Sequence, residues 1–371
     1  MGGMSVEPLH CQGCGVRIQT ADPQEVGYTP TSALEREDLL CKRCFRLKHY
    51  NEIADVSITD DDFLKMIGTI RNTKGLVVHL IDIFDVSGTL IASLPRLVGD
   101  RPILLVGNKV DLLPKSTNKR KLNHWLRQSA KEVGIKVEDV FLISSTKGYG
   151  IEELMAQMDY YRQGRDVYIV GATNVGKSTF INRLIKQSVG MDQVITTSYY
   201  PGTTLGFIEI PLDQHTYLYD TPGIVNDQQM VHYVSEHDLK IISPQKEIKP
   251  RVYQLHDQQT LFFGGLARLD IIRGRKQSVV CYFANELMIH RTKLKKADEF
   301  YDKHVGSLLV PPNNETLKTW PSLTKDVFRI EGEKTDIVFP GLGWVSVPGE
   351  NVTVAAHRPK GVAVSIRKSL L

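Results

Sequence analysis

No stretch of the chain approaches the roughly 20 consecutive apolar residues needed to span a bilayer. The first ten residues, Met1 to His10, lack the basic-then-apolar pattern of a secretory leader. Cysteine is scarce: five in 371 residues, four of them in two Cys-x-x-Cys pairs. That spacing argues against a disulfide framework and for a metal held in a reducing compartment. A cytoplasmic protein with no membrane partner is expected. Charge of one sign is also lacking, since 46 basic residues face 42 acidic ones. The small excess is unevenly placed, with 21 Lys and Arg against 16 Asp and Glu in residues 226–371. A mildly basic C-terminal third fits RNA as a partner and fits an ordinary solvated surface equally well. DNA is not expected.

What is present is a full set of guanine-nucleotide motifs in a rotated order. Asn108-Lys109-Val110-Asp111 and Ser144-Ser145-Thr146-Lys147 come first. The phosphate loop, Gly171-Ala172-Thr173-Asn174-Val175-Gly176-Lys177-Ser178, follows, then Pro201-Gly202-Thr203-Thr204 and Asp220-Thr221-Pro222-Gly223. In an ordinary small GTPase the phosphate loop leads. Here the chain reads as if cut and rejoined, with every part retained.

Each motif suits a task. Backbone N–H groups from Gly171 to Thr179, at a helix N-terminus, suit the β-phosphate. Lys177 is expected to bridge the β- and γ-phosphates, and Ser178 and Thr204 to ligate Mg²⁺. Asp220 is expected to hold that ion through water, and the Gly223 N–H to contact the γ-phosphate. Asn108 and Asp111 are the expected guanine readers. Adenine would leave a buried Asp111 carboxylate unpaired, which is costly. Lys109 is expected to pack over the base and the Ser144, Ser145 and Thr146 backbone to meet its oxygen.

One absence bears on rate. Ile224 follows Gly223, where Ras-like enzymes keep a glutamine that orients the attacking water. Slow intrinsic turnover is expected. Asn174 stands where potassium-activated GTPases place an ion-ligating asparagine. A potassium ion there would supply positive charge to the transition state; alternatively, Asn174 braces the loop.

Cys11-Gln12-Gly13-Cys14 and Cys41-Lys42-Arg43-Cys44 bring two thiol pairs to tight corners, the pattern of a closed, structural Zn²⁺ site. Gly13 and Gly15 ease the first corner. Lys42, Arg43, Arg46, Lys48 and His49 are expected to form a basic face, either solvated or in contact with phosphate.

The fold class expected is α/β: a circularly permuted P-loop GTPase domain flanked by a small zinc-binding module and a β-rich C-terminal domain. The divisions expected are residues 1–50, 51–226 and 227–371. Apolar runs at 76–84, 102–107, 140–144 and 166–170 read as parallel strands, and 205–210 with 216–219 as a hairpin. Residues 150–159 and 227–242 read as helices. Residues 277–283, 336–339, 343–347 and 362–366 read as strands. Residues 290–296 are the densest basic run, either a solvated turn or a grip on RNA phosphates.

The rotated motifs, the four-cysteine module before them and the basic region after them together resemble the YqeH family of circularly permuted GTPases. The resemblance extends over the whole chain, including Asp220-Thr221-Pro222-Gly223 and Pro201-Gly202-Thr203-Thr204. It implies GTP hydrolysis used in small ribosomal subunit assembly, and a C-terminal RNA-binding region that docks on ribosomal RNA. A non-ribosomal regulatory GTPase with a protein or peptide partner is the alternative.

Overall fold

The computed structural model describes residues 8–36, 38–50, 57–58, 60–188, 207–349 and 351–371. Thr204 and the rest of Pro201-Gly202-Thr203-Thr204 lie outside them. The chain divides into two compact units. One comprises Met1–Ile83, Thr89–Val110 and Lys119–Val225; the other comprises Phe84–Gly88, Asp111–Asn118 and Asn226–Leu371.

In the first unit the strands are β1 (Ser57–Ile58), β2 (Leu76–Asp82), β3 (Ile103–Asn108), β4 (Asp139–Leu142), β5 (Val167–Gly171), β6 (Ile208–Pro211), β7 (Tyr217–Asp220) and β8 (Gly223–Ile224). Six of them form one sheet in the order β4-β3-β2-β5-β7-β6. All neighbours run parallel except β6, which is antiparallel to β7 as the expected hairpin. Every residue of β2 is buried. That is why it reads as an unbroken apolar run: a central parallel strand is covered on both faces. The helices Lys119–Glu132, Ile151–Arg162 and Lys177–Ser188 lie between these strands in sequence. Val78, Leu80, Leu104, Ile169, Phe180 and Ile181 belong to the shared core. β5, which begins the second half of the rotated sequence, pairs on one side with β2 and on the other with β7. The rotation therefore leaves the sheet continuous. It changes only where the chain enters and leaves.

In the second unit the strands are β9 (Arg251–Leu255), β10 (Gln259–Phe263), β11 (Ala267–Arg273), β12 (Gln277–Phe283), β13 (Ile289–Lys293), β14 (Leu323–Ile330), β15 (Thr335–Phe339), β16 (Gly343–Val347), β17 (Val352–Pro359) and β18 (Ser365–Lys368). They form two antiparallel five-stranded sheets, β13-β10-β11-β17-β14 and β18-β15-β16-β12-β9. Phe263 and Phe283 stack at 4.3 Å in the core they share.

Two expectations fail here. The helix expected from 227 reduces to Glu236–Ile242, preceded by a single 3-10 turn at Met230–His232. Ser235 caps the true start, its Oγ accepting from Asp238 N, and Met230 N is committed to Pro340 O at 2.8 Å. The strand expected at 362–366 begins only at Ser365. Ala363 N bonds instead to Gln228 O at 2.9 Å.

Candidate functional site

β3 and β5 end at Asn108 and Gly171, β7 ends at Asp220, and Ser144 lies just past β4. Parallel pairing puts all four at the carboxyl edge of one sheet, where open α/β sheets bind ligands. The phosphate loop follows β5 directly. Gly176 has φ +87°, and a Cβ there would meet Asn108 Nδ2 at 2.6 Å. Only glycine lets the loop turn so close to the neighbouring strand. Asn174 is also left-handed, at φ +63°, and is exposed. Lys177 and Ser178 are buried in the first turn of the helix that follows, while Thr179 is exposed.

The base end is braced from several directions. Asn108 Oδ1 accepts from Ser145 N and Ser145 Oγ at 3.0 and 2.9 Å, and its Nδ2 donates to Val175 O at 2.9 Å. The side chain thus ties the serine motif to the phosphate loop. Lys109 Nζ reaches Asp82 Oδ2 and Asn174 O, both at 2.6 Å. Arg183 grips the carbonyls of Ser145 and Thr146 at 3.1 and 2.8 Å. Ser144 Oγ bonds Thr146 Oγ1 at 3.2 Å. Asp82 and Arg183 lie outside every motif. The position of Asp82 at the end of β2 was the only sequence signal for it.

Asp111 sits on the 3-10 turn Val110–Leu112. Its Oδ1 is buried and has no hydrogen-bond partner among the described residues. A carboxylate oxygen so placed is expensive unless a donor arrives. Paired ring and exocyclic N–H groups of guanine are such donors.

Asp220 is 1% exposed and holds two cations. Lys177 Nζ lies 3.2 Å from Oδ1, and Arg43 Nη2 lies 2.5 Å from Oδ2. Thr221 Oγ1 donates to Ile169 O at 2.8 Å, anchoring the motif to β5. Beyond it, a Cβ on Gly223 would meet the Thr173 backbone at 3.1 Å, and Thr173 N donates to Ile224 O at 2.8 Å. The Asp220 carboxylate and the Ser178 hydroxyl are hard oxygen donors, a set that suits Mg²⁺.

The four cysteines converge, their sulfurs all within 4.8 Å of one another. Cys14 and Cys41 Sγ are 3.8 Å apart. A Zn–S bond of about 2.3 Å implies tetrahedral edges of about that length, so the thiols fit Zn²⁺. Gly15 turns the first corner at φ +70°, as expected. Gly13 is needed for a different reason: a Cβ there would lie 2.9 Å from Cys44 Sγ. The expected basic face loses Arg43, whose side chain is 2% exposed and turned inward.

A family model described as YqeH-like, C-terminal matches residues 276–370. One described as 50S ribosome-binding GTPase matches residues 166–260, beginning one residue before β5. The protein named Uncharacterized protein YqeH of Bacillus subtilis is 56% identical over 99% of the chain and all of its own length. The chain belongs to the YqeH family. It is a P-loop GTPase with an N-terminal cysteine cluster and a β-rich C-terminal region. More distant relatives also match. NO-associated protein 1 of Arabidopsis thaliana is 30% identical over 91% of the chain and 69% of its own length. Nitric oxide-associated protein 1 of Mus musculus is 26% identical over 99% of the chain and 76% of its own length. Among the described residues no helix is long and apolar enough to cross a membrane.

Proposed function

We propose that this YqeH-family GTPase is a cytoplasmic, Mg²⁺-dependent switch that docks on ribosomal RNA during small-subunit maturation. The observation that carries the reading is the union of a GTPase carboxyl edge with a strongly basic edge strand. β13 lies at the edge of its sheet, and Arg291, Lys293, Lys295 and Lys296 along it and just past it are all exposed. Charged edge strands also prevent sheet-to-sheet aggregation. Four cations within six residues nevertheless suit a phosphate backbone.

In this reading the boundaries are residues 1–50, 51–226 and 227–371. Gly171–Thr179 cradle the phosphates, and Lys177 leaves Asp220 to meet the β- and γ-phosphates. Ser178 and Thr204 ligate Mg²⁺, which neutralises developing charge when bound, while Asp220 orients its water. Asp111 reads guanine. Asn108 joins it through its amide N–H, while its carbonyl, which accepts two hydrogen bonds, braces the serine motif. Cys11, Cys14, Cys41 and Cys44 hold Zn²⁺. With Ile224 in place of glutamine, K⁺ at Asn174 assists turnover. GTP hydrolysis is expected to run faster in potassium chloride than in equal sodium chloride, and Asn174→Ala to abolish the difference. Equal wild-type rates would remove the ion from the mechanism.

The GTPase model's description names the large subunit, whereas the family resemblance points to the small one. Co-sedimentation with each purified subunit, with a non-hydrolysable GTP analogue, with GDP and without nucleotide, tests the choice. Nucleotide-dependent binding to small subunits is expected. Binding to large subunits alone, or to neither, would refute the assignment.

A further inference from the structure

Arg43 lies between two cysteines of the cluster, 177 residues from Asp220 in sequence. Its Nη2 donates both to Asp220 Oδ2 at 2.5 Å and to the Asp220 main-chain oxygen at 2.7 Å. Lys177 takes the other carboxylate oxygen. Main-chain bonds of the neighbours of Arg43 close the knuckle's turns. Cys41 N bonds Cys11 Sγ at 3.2 Å and Lys42 N bonds Tyr28 O at 2.6 Å. A buried guanidinium is tolerated only when paired, and Arg43 finds its pair on the switch motif.

A second, backbone connection runs the same way. β1, on the chain leading out of the cysteine module, pairs in parallel with β8, matching Ser57 with Gly223 and Ile58 with Ile224. Ile224 also bridges to Ala172 of the phosphate loop. The Asp220–Ile224 segment is therefore held by the phosphate loop and by the chain that follows the cysteine knuckle.

We propose that Arg43 is a latch: it occupies the Asp220 carboxylate until Mg²⁺–GTP displaces it, so nucleotide loading releases the zinc knuckle from the GTP site. The inference rests on Asp220 being the carboxylate that serves Mg²⁺. Here the Asp220 carboxylate is shared by two side-chain cations, Lys177 at Oδ1 and Arg43 at Oδ2. A triphosphate draws Lys177 away, and a divalent ion beside Asp220 repels a guanidinium at the same carboxylate. Nη2 serves both Asp220 oxygens, so losing the carboxylate weakens the tie between the knuckle and Asp220. The effect is reciprocal: whatever factor Mg²⁺–GTP exerts against docking, docking exerts against Mg²⁺–GTP.

The test compares binding of a non-hydrolysable GTP analogue, with Mg²⁺ and with EDTA, to wild type, Arg43→Ala, Arg43→Lys and Asp220→Asn, all assayed for bound zinc. Arg43→Ala is expected to bind about tenfold more tightly with Mg²⁺ and no differently in EDTA, a coupling of ordinary size. Arg43→Lys should lie between it and wild type. Asp220→Asn should weaken the Mg²⁺-dependent part; if it does not, the role given to Asp220 is wrong. Should Asp220→Asn behave as expected while Arg43→Ala retains zinc and wild-type affinity, only the latch is refuted. Unchanged affinity with slower single-turnover hydrolysis would also refute it, placing the guanidinium on the transferring phosphate. Amide hydrogen exchange in the wild-type protein decides the matter should Arg43→Ala lose zinc. The helix Lys42–Tyr50 is expected to exchange several-fold faster with analogue and Mg²⁺ than with analogue and EDTA. Identical exchange in both would overturn the proposal.

Discussion

At the scale of single residues, Asp111 and His79 each place a buried polar atom where it has consequences. Asp111 Oδ1, without a partner among the described residues, makes the carboxylate the proposed source of guanine selectivity. Exchanging it for an amide inverts donor and acceptor, so Asp111→Asn is expected to lose GTP affinity and gain affinity for XTP. Competition binding checks this, and full GTP affinity without gain for XTP would reassign the motif. His79 is fully buried on β2, its Nδ1 donating to Val170 O at 3.3 Å and its Nε2 accepting from Ile91 N at 3.1 Å. Burial lowers its pKa from 6.5 to about 4. The folded ring stays neutral down to about pH 4, whereas an unfolded chain takes up the proton near 6.5. Between those values the unfolded state binds more protons, so stability falls as pH falls. From pH 7 to pH 5 His79 should remove about 2 kcal/mol. Urea unfolding of wild type and His79→Gln at both pH values measures it. The same slope in both proteins would clear His79 of the effect.

At the scale of elements, the strands of the GTPase sheet were legible because each buried run ends in a motif. β2, β3, β4 and β5 lie within a residue or two of their expected bounds. The C-terminal strands were half legible. β12, β15 and β16 match the expectation, while β9, β10, β11, β13, β14 and β17 were not foreseen. β9 and β14 are edge strands whose burial alternates with exposed positions, and β13 carries charge. Such strands give a weaker apolar signal than central ones. Among the described residues, Leu40 is the one buried residue that the sulfur cluster holds besides cysteines. In the proposed reading a module this small depends on its metal to fold. Replacing Cys11 and Cys41 with Ser is expected to release about one zinc per chain and expose residues 8–46 to protease while GTP binding survives. Elemental analysis with limited proteolysis checks it, and a folded, metal-free module would contradict it.

At the scale of the whole molecule, the rotation decides what the switch is attached to. An ordinary order would bury the ends of this segment inside one domain. Here Asp220–Ile224 is followed directly by the chain into the C-terminal unit, and is joined to the cysteine module by Arg43 and β1. Neutralising Arg291, Lys293, Lys295 and Lys296 together is expected to weaken subunit binding and lower its salt slope by about 3, with GTP affinity unchanged. Binding measured across a salt series checks this. An unaltered slope would place the RNA contact elsewhere.

The sequence by itself determined the GTPase chemistry, the rotated order and the thiol ligand set. Those depend on residue types at short fixed spacings, and a loop of eight residues or a Cys-x-x-Cys corner closes locally. Only the tertiary structure decided that Arg43 faces Asp220, that Asp82 holds Lys109, and that Asn108 is tied to Ser145. These pairs are separated by 177, 27 and 37 residues. Spacing carries no information across such distances. What joins them is the parallel sheet, which gathers strand ends from far along the chain to one edge, and the cost of leaving a buried charge without a partner.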